Sequence, residues 1–285
     1  MNNSIEINSI TKAYKDFVLD NVSFNVPYGS IMGFIGENGA GKTTTIKAIL
    51  NIIRINSGSI TVFDKDIKAN AKDINKDIGT VLDGSFFYEG MEARDIAPVM
   101  RRLYKTWDDN YFTQLLSRFS LPANKIIKEY SKGMKMKLNL ATALAHKPKL
   151  LILDEATSGL DPVVRNEMLD IFLEFIQEEE HSILMSSHIT TDLEKIADYI
   201  TFLHEGKVVF SKSKDDIMEN YAVAKCSVEK ADALPHELIM GRRSSQFGCE
   251  LLVCDKLALR RKEPDIIIDH ASLDDIMTFI AKEGK

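Results

Sequence analysis

The sequence predicts an α/β protein with a mixed, mostly parallel sheet, and two patterns carry this prediction. Short apolar runs alternate with stretches of helical periodicity, which is typical of a parallel sheet covered by helices. A glycine-rich loop at residues 36–43 lies between one such run, residues 31–35, and a helical pattern over residues 43–53. The chain of 285 residues is long enough for one large domain with an appended unit.

Apolar patterns indicate the strands of the sheet and of the segment that precedes it. Val22, Phe24 and Val26 alternate with polar residues before a Pro-Tyr-Gly turn, which predicts antiparallel strands in the N-terminal segment. Helical periodicity predicts a helix over residues 163–179. Further strands are expected at residues 59–63, 78–82, 149–153, 182–185, 199–203 and 208–210.

Two regions depart from this alternation. Between about residues 84 and 147 strand signals fade and helical periodicity dominates, which predicts a helical insertion. After residue 220, strand-like runs at 222–228 and 249–253 precede an amphipathic helix at 272–281. We therefore expect one domain over residues 1–220 and a small α+β C-terminal extension over residues 221–285, with a regulatory or dimer-supporting role.

Composition limits the partners and the compartment. A net charge of −6 argues against broad nucleic-acid binding, so we expect no nucleic acid among the partners. No apolar run approaches the roughly 18 residues of a membrane-spanning helix. Cys226, Cys249 and Cys254 are few and lie late in the chain, which favours free thiols in a reducing cytosol.

The loop at residues 36–43 reads Gly-Glu-Asn-Gly-Ala-Gly-Lys-Thr and matches the pattern of a phosphate-binding loop. Glycines let the backbone approach phosphate oxygens closely, and the helix start adds positive partial charge. Lys42 would add a full charge at the β and γ phosphates, and Thr43 a hydroxyl ligand for Mg²⁺. The residues predicted to bind phosphate here are Gly36, Glu37, Asn38, Gly39, Ala40, Gly41, Lys42, Thr43 and Thr44.

Residues 150–155 read Leu-Leu-Ile-Leu-Asp-Glu and predict a central strand that carries two acids to the carboxyl edge of the sheet. Asp154 suits the role of holding Mg²⁺, directly or through water. Glu155 suits a general base that accepts a proton from the attacking water or orients it. An apolar run followed by acids is a weak signal alone, and the upstream phosphate loop makes it strong.

Residues 130–137 predict a second helix start that attracts anions. Ser131 would cap this helix, Gly133 would let a ligand come close, and Lys132 adds charge. A plain helix cap is the alternative, and it explains Ser131 well and Gly133 poorly. Asp161, in Ser-Gly-Leu-Asp-Pro, precedes a proline at the first helical position, which is typical of a turn.

His188 follows a strand and Tyr14 ends the N-terminal strand region. Taken alone, each is more often a structural residue. In chain order, however, Tyr14, the loop 36–43, the segments 130–134, 150–155 and 158–162, and His188 resemble the nucleotide-binding subunit of an ATP-binding cassette (ABC) transporter over about residues 1–210.

This resemblance implies a P-loop NTPase core in which Tyr14 stacks on adenine and His188 contacts the γ-phosphate. It implies catalytic roles for Lys42, Glu155 and His188, and places Asp161 at the nucleotide site. It also implies that two subunits pair head to tail, as a homodimer or a heterodimer. Ser131 and Gly133 of one subunit would then cap the γ-phosphate held by Lys42 of the other. A single chain could also fold its second anion site onto its own loop.

The sequence departs from the family pattern at two places. The signature that usually reads Leu-Ser-Gly-Gly-Gln is Tyr-Ser-Lys-Gly-Met here. The glutamine expected after the strand at 78–82 is replaced by Asp83, which we expect in the Mg²⁺ shell; the alternative is a cap on the turn at Gly84. The aromatic residues 86–88 that follow are expected either in the core of the insertion or at the contact with a membrane subunit.

The function that the resemblance implies is the ATPase motor of a membrane exporter. A separate integral membrane permease would form the transport path, and this chain would sit peripherally on the cytoplasmic face of the membrane. One cassette with a short extension is more similar to bacterial exporters than to importers. The alternative is a non-transport ABC ATPase that acts as a regulatory or assembly module. A small-molecule kinase with a P-loop is disfavoured by the 130–134 segment and Asp161.

Overall fold

The computed structural model describes residues 2–82, 84, 87–245 and 248–283. The strands are β1 (Asn3–Ala13), β2 (Val18–Pro27), β3 (Ile31–Ile35), β4 (Ser57–Val62), β5 (Lys65–Asp66), β6 (Ile78–Val81), β7 (Leu150–Asp154), β8 (Ser182–Ser186), β9 (Tyr199–His204), β10 (Lys207–Ser213), β11 (Ala222–Cys226), β12 (Ile239–Ser245), β13 (Gly248–Val253) and β14 (Ile267–His270). The helices are α1 (Lys42–Ile49), α2 (Ile67–Ile74), α3 (Ile96–Leu103), α4 (Asp109–Arg118), α5 (Lys132–Ala145), α6 (Pro162–Phe175), α7 (Thr190–Ile196), α8 (Lys214–Asn220), α9 (Val228–Ala233), α10 (Lys256–Lys262) and α11 (Leu273–Glu283).

A six-stranded sheet in the order β10-β9-β3-β8-β7-β6 forms the centre of the molecule. Its strands β9, β3, β8, β7 and β6 are parallel, and β10 runs antiparallel to β9. Every residue of β3, β7 and β8 is buried, as expected for parallel strands covered on both faces. The mixed, mostly parallel sheet is therefore confirmed. Because β3, β8 and β7 are neighbours, the segments that leave their carboxyl ends lie side by side.

The N-terminal strands form a second, antiparallel sheet in the order β2-β1-β4-β5, as the sequence predicts. Its apolar face packs on one side of the central sheet, together with Ile46 and Ile49 of α1. The helix predicted to run to residue 53 ends at Ile49, since Asn51 takes a left-handed conformation. The helix predicted over 163–179 likewise ends early, at Phe175.

Helices α3, α4 and α5 lie between β6 and β7, where a helical insertion is predicted. Leu115, Leu116 and Phe119 bury the face that their periodicity indicates. The aromatic residues that precede these helices were expected either in the core or at an exposed contact surface. Phe87 is half-buried against the core, whereas Tyr88 is 78% exposed. Phe86 and Asp83 lie outside the described residues.

The extension forms an antiparallel sheet in the order β12-β13-β11-β14. Helices α9 and α10 bury one face of this sheet, and α11 packs on the other face. Nothing in the sequence pattern indicated β12, because its residues 241–245 are glycine, arginine and serine. The glycine has a packing reason: a Cβ on Gly241 would lie 2.9 Å from the Cβ of Phe279 on α11.

Helix α11 also joins the extension to the rest of the molecule. Leu273, Ile276 and Phe279 belong to the same buried cluster as Leu193 and Ile196 of α7. The boundary at residue 220 stays a prediction, and the packing makes the two parts share a core. None of the described helices combines the length and the apolar character needed to span a bilayer.

This shared core predicts that a change in α11 affects the whole chain. Phe279→Ala should lower the free energy of unfolding by about 3–5 kcal/mol, because it empties the space of a buried ring. The loss should appear in the transition reported by Trp107, the single tryptophan, which lies in the insertion. Equilibrium urea unfolding followed by fluorescence measures it.

The matched control is Ile267→Ala, which removes an exposed side chain of β14 in the same extension. It should change stability by less than about 0.5 kcal/mol. A Trp107 transition that is the same in Phe279→Ala and in wild type would contradict the shared core and indicate an extension that unfolds by itself.

Candidate nucleotide-binding and catalytic site

The loop at residues 36–43 connects β3 to α1 in a conformation that requires glycine. Gly39 and Gly41 have φ of +85° and +111°, in the left-handed region that side chains disfavour. A Cβ on Gly41 would lie 2.8 Å from the Phe17 ring, and one on Gly36 would lie 2.3 Å from the Leu203 carbonyl oxygen. Among the residues that the structure describes, no side chain caps the start of α1, so its first amide groups remain available to an anion.

Lys42 is only 6% exposed and folds back over this loop. Its Nζ donates to the carbonyl oxygens of Gly36 at 2.7 Å and of Glu37 at 3.2 Å. Burial lowers the pKa of Lys42 below its ordinary value, while the carboxylates of Glu155 and Asp154 oppose that shift. The ammonium is therefore held inside the loop, where the charge of a phosphate would compensate its burial.

Asp154 ends β7 and is 3% exposed. Its Oδ2 accepts a hydrogen bond from Thr43 Oγ1 at 2.9 Å, and its Oδ1 accepts one from Ser186 Oγ at 2.5 Å. The Thr43 hydroxyl and the Asp154 carboxylate are hard oxygen donors, of the kind that Mg²⁺ combines with phosphate oxygens. This pair therefore fits the predicted Mg²⁺ site.

Glu155 follows directly and turns the chain away from the sheet with a φ of +54°. Its amide donates to Ser186, both to the carbonyl oxygen at 3.1 Å and to the hydroxyl at 3.2 Å. Its carboxylate lies between two nitrogens: Oε2 is 2.6 Å from His188 Nδ1, and Oε1 is 3.8 Å from Lys42 Nζ. Since an ionised carboxylate only accepts, His188 Nδ1–H is the donor.

Lys42, Thr43, Asp154, Glu155 and His188 thus meet at the carboxyl ends of three neighbouring strands. Motifs predict four of these residues, and the family resemblance implies the role of His188. Neither predicts Ser186, the last residue of β8, whose hydroxyl donates to Asp154 and accepts from the Glu155 amide. A serine that ends an otherwise apolar strand, next to the strand that carries the acids, was the available signal.

Ser131 and Asp161 cap helices, as their sequence positions predict. Ser131 Oγ accepts from the Met134 amide at 3.2 Å at the start of α5, and Asp161 Oδ1 accepts from the amides of the first turn of α6 at 3.1 Å. Gly133 lies against α6, because a Cβ there would be 3.5 Å from the side chain of Val164. Among the described residues, no hydrogen bond or ion pair joins Ser131 or Gly133 to the loop 36–43.

Tyr14 is 47% exposed, so its ring is not a core packing residue. The ring already faces one cation, since Lys12 Nζ lies 5.2 Å from its centroid. Next to the loop, a cavity of about 510 Å³ is lined by Phe17, Asn38 and Lys207, among others. Thr44 is half-buried in the first turn of α1, and Asp83 lies outside the described residues.

Comparison with known proteins agrees with this geometry. A family described as ABC transporter matches residues 19–158. The bacitracin transport ATP-binding protein BcrA of Bacillus licheniformis is 36% identical over 212 residues, which cover 73% of this chain and 69% of that protein. The chain belongs to the ABC transporter family. The predicted resemblance, the P-loop NTPase fold and the role as motor subunit of a transporter are thereby confirmed.

Other relatives of this ABC subunit agree. The lantibiotic transport ATP-binding protein SrtF of Streptococcus pyogenes is 35% identical over 214 residues, covering 74% of this chain and 91% of that protein. A solved structure of an ATP-binding subunit of an ABC transporter superposes with a TM-score of 0.69 at 27% identity, covering 75% of this chain and 91% of that one.

Proposed function

We propose that this ABC subunit binds ATP with Mg²⁺, hydrolyses it, and powers export through a separate membrane permease. The observation that carries the proposal is the position of the Glu155 carboxylate, between His188 Nδ1 at 2.6 Å and Lys42 Nζ at 3.8 Å. The base thus lies beside a cation for the phosphates and beside an orienting imidazole.

Nucleotide binding rests on the loop and the aromatic ring near it. The uncapped start of α1, the loop amides and Lys42 supply the positive charge for a triphosphate. The exposed ring of Tyr14 offers a flat surface on which adenine can stack. Asn38 and Phe17 line the adjoining cavity.

Hydrolysis rests on the two acids. Thr43 and Asp154 are the residues that would hold Mg²⁺, which when bound neutralises charge on the phosphate oxygens. Glu155 accepts the proton of the attacking water. His188 holds the Glu155 carboxylate in place through the hydrogen bond from Nδ1. The His188 side chain is 47% exposed, so the ring can also reach a phosphate.

The signature segment supports a second copy of the subunit as a partner. Ser131 is exposed, and Gly133 lies against α6. Among the described residues, no hydrogen bond or ion pair joins either residue to the loop 36–43 of the same chain. We therefore assign the γ-phosphate contact of Ser131 and Gly133 to the loop of a paired subunit, as a homodimer or heterodimer.

The names of relatives support the exporter assignment. BcrA and SrtF are named for bacitracin and lantibiotic transport, so a peptide antibiotic is the first class of cargo to test. A permease would hold this chain at the cytoplasmic face of the membrane, and the exposed Tyr88 is the described aromatic residue that suits such a contact. Copurification with a multi-span membrane protein tests transport against a purely regulatory ABC ATPase.

Glu155→Gln should keep ATP binding and lower the ATPase turnover about 10²- to 10⁴-fold, because the amide cannot accept the proton of water. Phosphate release and equilibrium ATP binding, measured on the same protein, check both parts. Glu178→Gln is the control, since it makes the same change at an exposed glutamate outside the site. Turnover of Glu155→Gln close to that of Glu178→Gln would place the general base elsewhere.

Mixing two inactive variants tests the shared site. Ser131→Arg spoils the signature and Lys42→Ala spoils the loop, so each protein alone should be inactive. A one-to-one mixture should regain about a quarter of wild-type ATPase activity, because random pairing gives half mixed dimers with one competent site each. No recovery in the mixture, together with activity strictly proportional to monomer concentration in wild type, would refute the shared site.

A further inference from the structure

Helix α7 touches the proposed catalytic site in two ways. It begins two residues after His188, which holds Glu155. Its Leu193 packs directly on β3, the strand that carries the phosphate loop, because a Cβ on Gly33 would lie 3.2 Å from Leu193 Cδ1. A displacement of α7 would therefore affect both the phosphate loop and the Glu155 base.

The opposite side of α7 is covered by the C-terminal extension. Leu193 and Ile196 share a buried cluster with Leu273, Ile276 and Phe279 of α11. Leu193 and Leu273 are both fully buried, so the extension packs on the helix that contacts the site.

A hydrogen bond joins the two helices. The first turn of α11 is capped from within, as the Ser272 amide donates to Asp275 Oδ2 and the Asp275 amide donates to Ser272 Oγ, both at 3.0 Å. The Leu273 amide has no acceptor inside its helix, and it donates to Glu194 Oε1 of α7 at 2.8 Å. The carboxylate also faces the positive end of the α11 dipole.

The segment that leads into the extension contacts the same residue. Lys214, the first residue of α8, donates from Nζ to the Glu194 carbonyl oxygen at 2.9 Å. Helix α8 leads into β11 of the extension sheet. Glu194 thus receives a bond from the segment that enters the extension and another from its last helix.

We propose that the C-terminal extension regulates ATP hydrolysis by holding α7, and that Glu194 is the positioning residue that joins the two. The proposal rests on the proposed ATPase function. Whatever binds or moves the extension would act on Glu155 through α11, Glu194 and α7. Since the same contacts join the phosphate loop to α11, we expect nucleotide bound at the loop to affect the extension as well.

The kinetic test compares full-length variants at Glu194. Glu194→Ala removes the acceptor and should lower the kcat for ATP about 3- to 10-fold. KM should change less than about twofold, since Leu193 keeps its packing on β3 and the change reaches the site mainly through His188 and Glu155. Glu194→Gln keeps a carbonyl oxygen and should restore wild-type kcat. Asp274→Ala removes an exposed acid in the first turn of α11, for which the described residues show no hydrogen bond or ion pair to α7, and it should behave as wild type. Equal kcat in Glu194→Ala and wild type would overturn the proposal, as would a Glu194→Gln variant as slow as Glu194→Ala.

Hydrogen–deuterium exchange separates this proposal from the ATPase assignment. Without nucleotide, Glu194→Ala should exchange faster than wild type over residues 190–196, and Glu194→Gln should not. With Mg²⁺ and ATP, wild type should become more protected over residues 273–283, and Glu194→Ala should not. A wild-type chain that binds no ATP would refute the proposed function, while the comparison without nucleotide would still decide the role of Glu194. Unchanged exchange of α7 in Glu194→Ala would overturn that role in either case.

Discussion

The Asp154 carboxylate is the contact on which the site depends. It is almost fully buried, and a buried carboxylate is costly unless hydrogen bonds compensate the loss of water. Thr43 and Ser186 provide those bonds, one to each oxygen. The bonds tie the start of α1 and the end of β8 to the end of β7. Glu155 and His188 continue from these two strand ends, so their meeting follows from the same junction.

Elements far along the chain extend this junction outward. Helix α7 packs on β3 through the space that Gly33 leaves, and α11 packs on α7. The last helix of the chain is therefore two layers from the strand that carries the phosphate loop. This arrangement gives the extension a physical connection to the site, although the extension itself contains no nucleotide motif.

The local structure of the candidate site follows from the sequence where the relevant residues are close in the chain or belong to a fixed motif. The octapeptide at 36–43 and the apolar run before Asp154 each contain their own structural context, namely a buried strand and the turn or helix that follows. Strands β12 and β14 were not predictable from the sequence. Residues 241–245 of β12 include no apolar side chain, and β14 has only four residues at the edge of its sheet. The bonds of Ser186 to Asp154 and of Leu273 to Glu194 join residues 32 and 79 positions apart, so only the fold reveals them.

Equilibrium binding of ATP to the full-length chain tests the central claim, which is that Lys42 and its loop hold a nucleoside triphosphate. Isothermal titration calorimetry with Mg²⁺ would compare wild type, Lys42→Ala and Lys47→Ala, the last at an exposed lysine in the same helix. Loss of the charged contacts of Lys42 should raise the Kd for ATP about 10- to 100-fold, and the Kd of Lys47→Ala should match that of wild type. Equal affinity of Lys42→Ala and wild type would contradict the account.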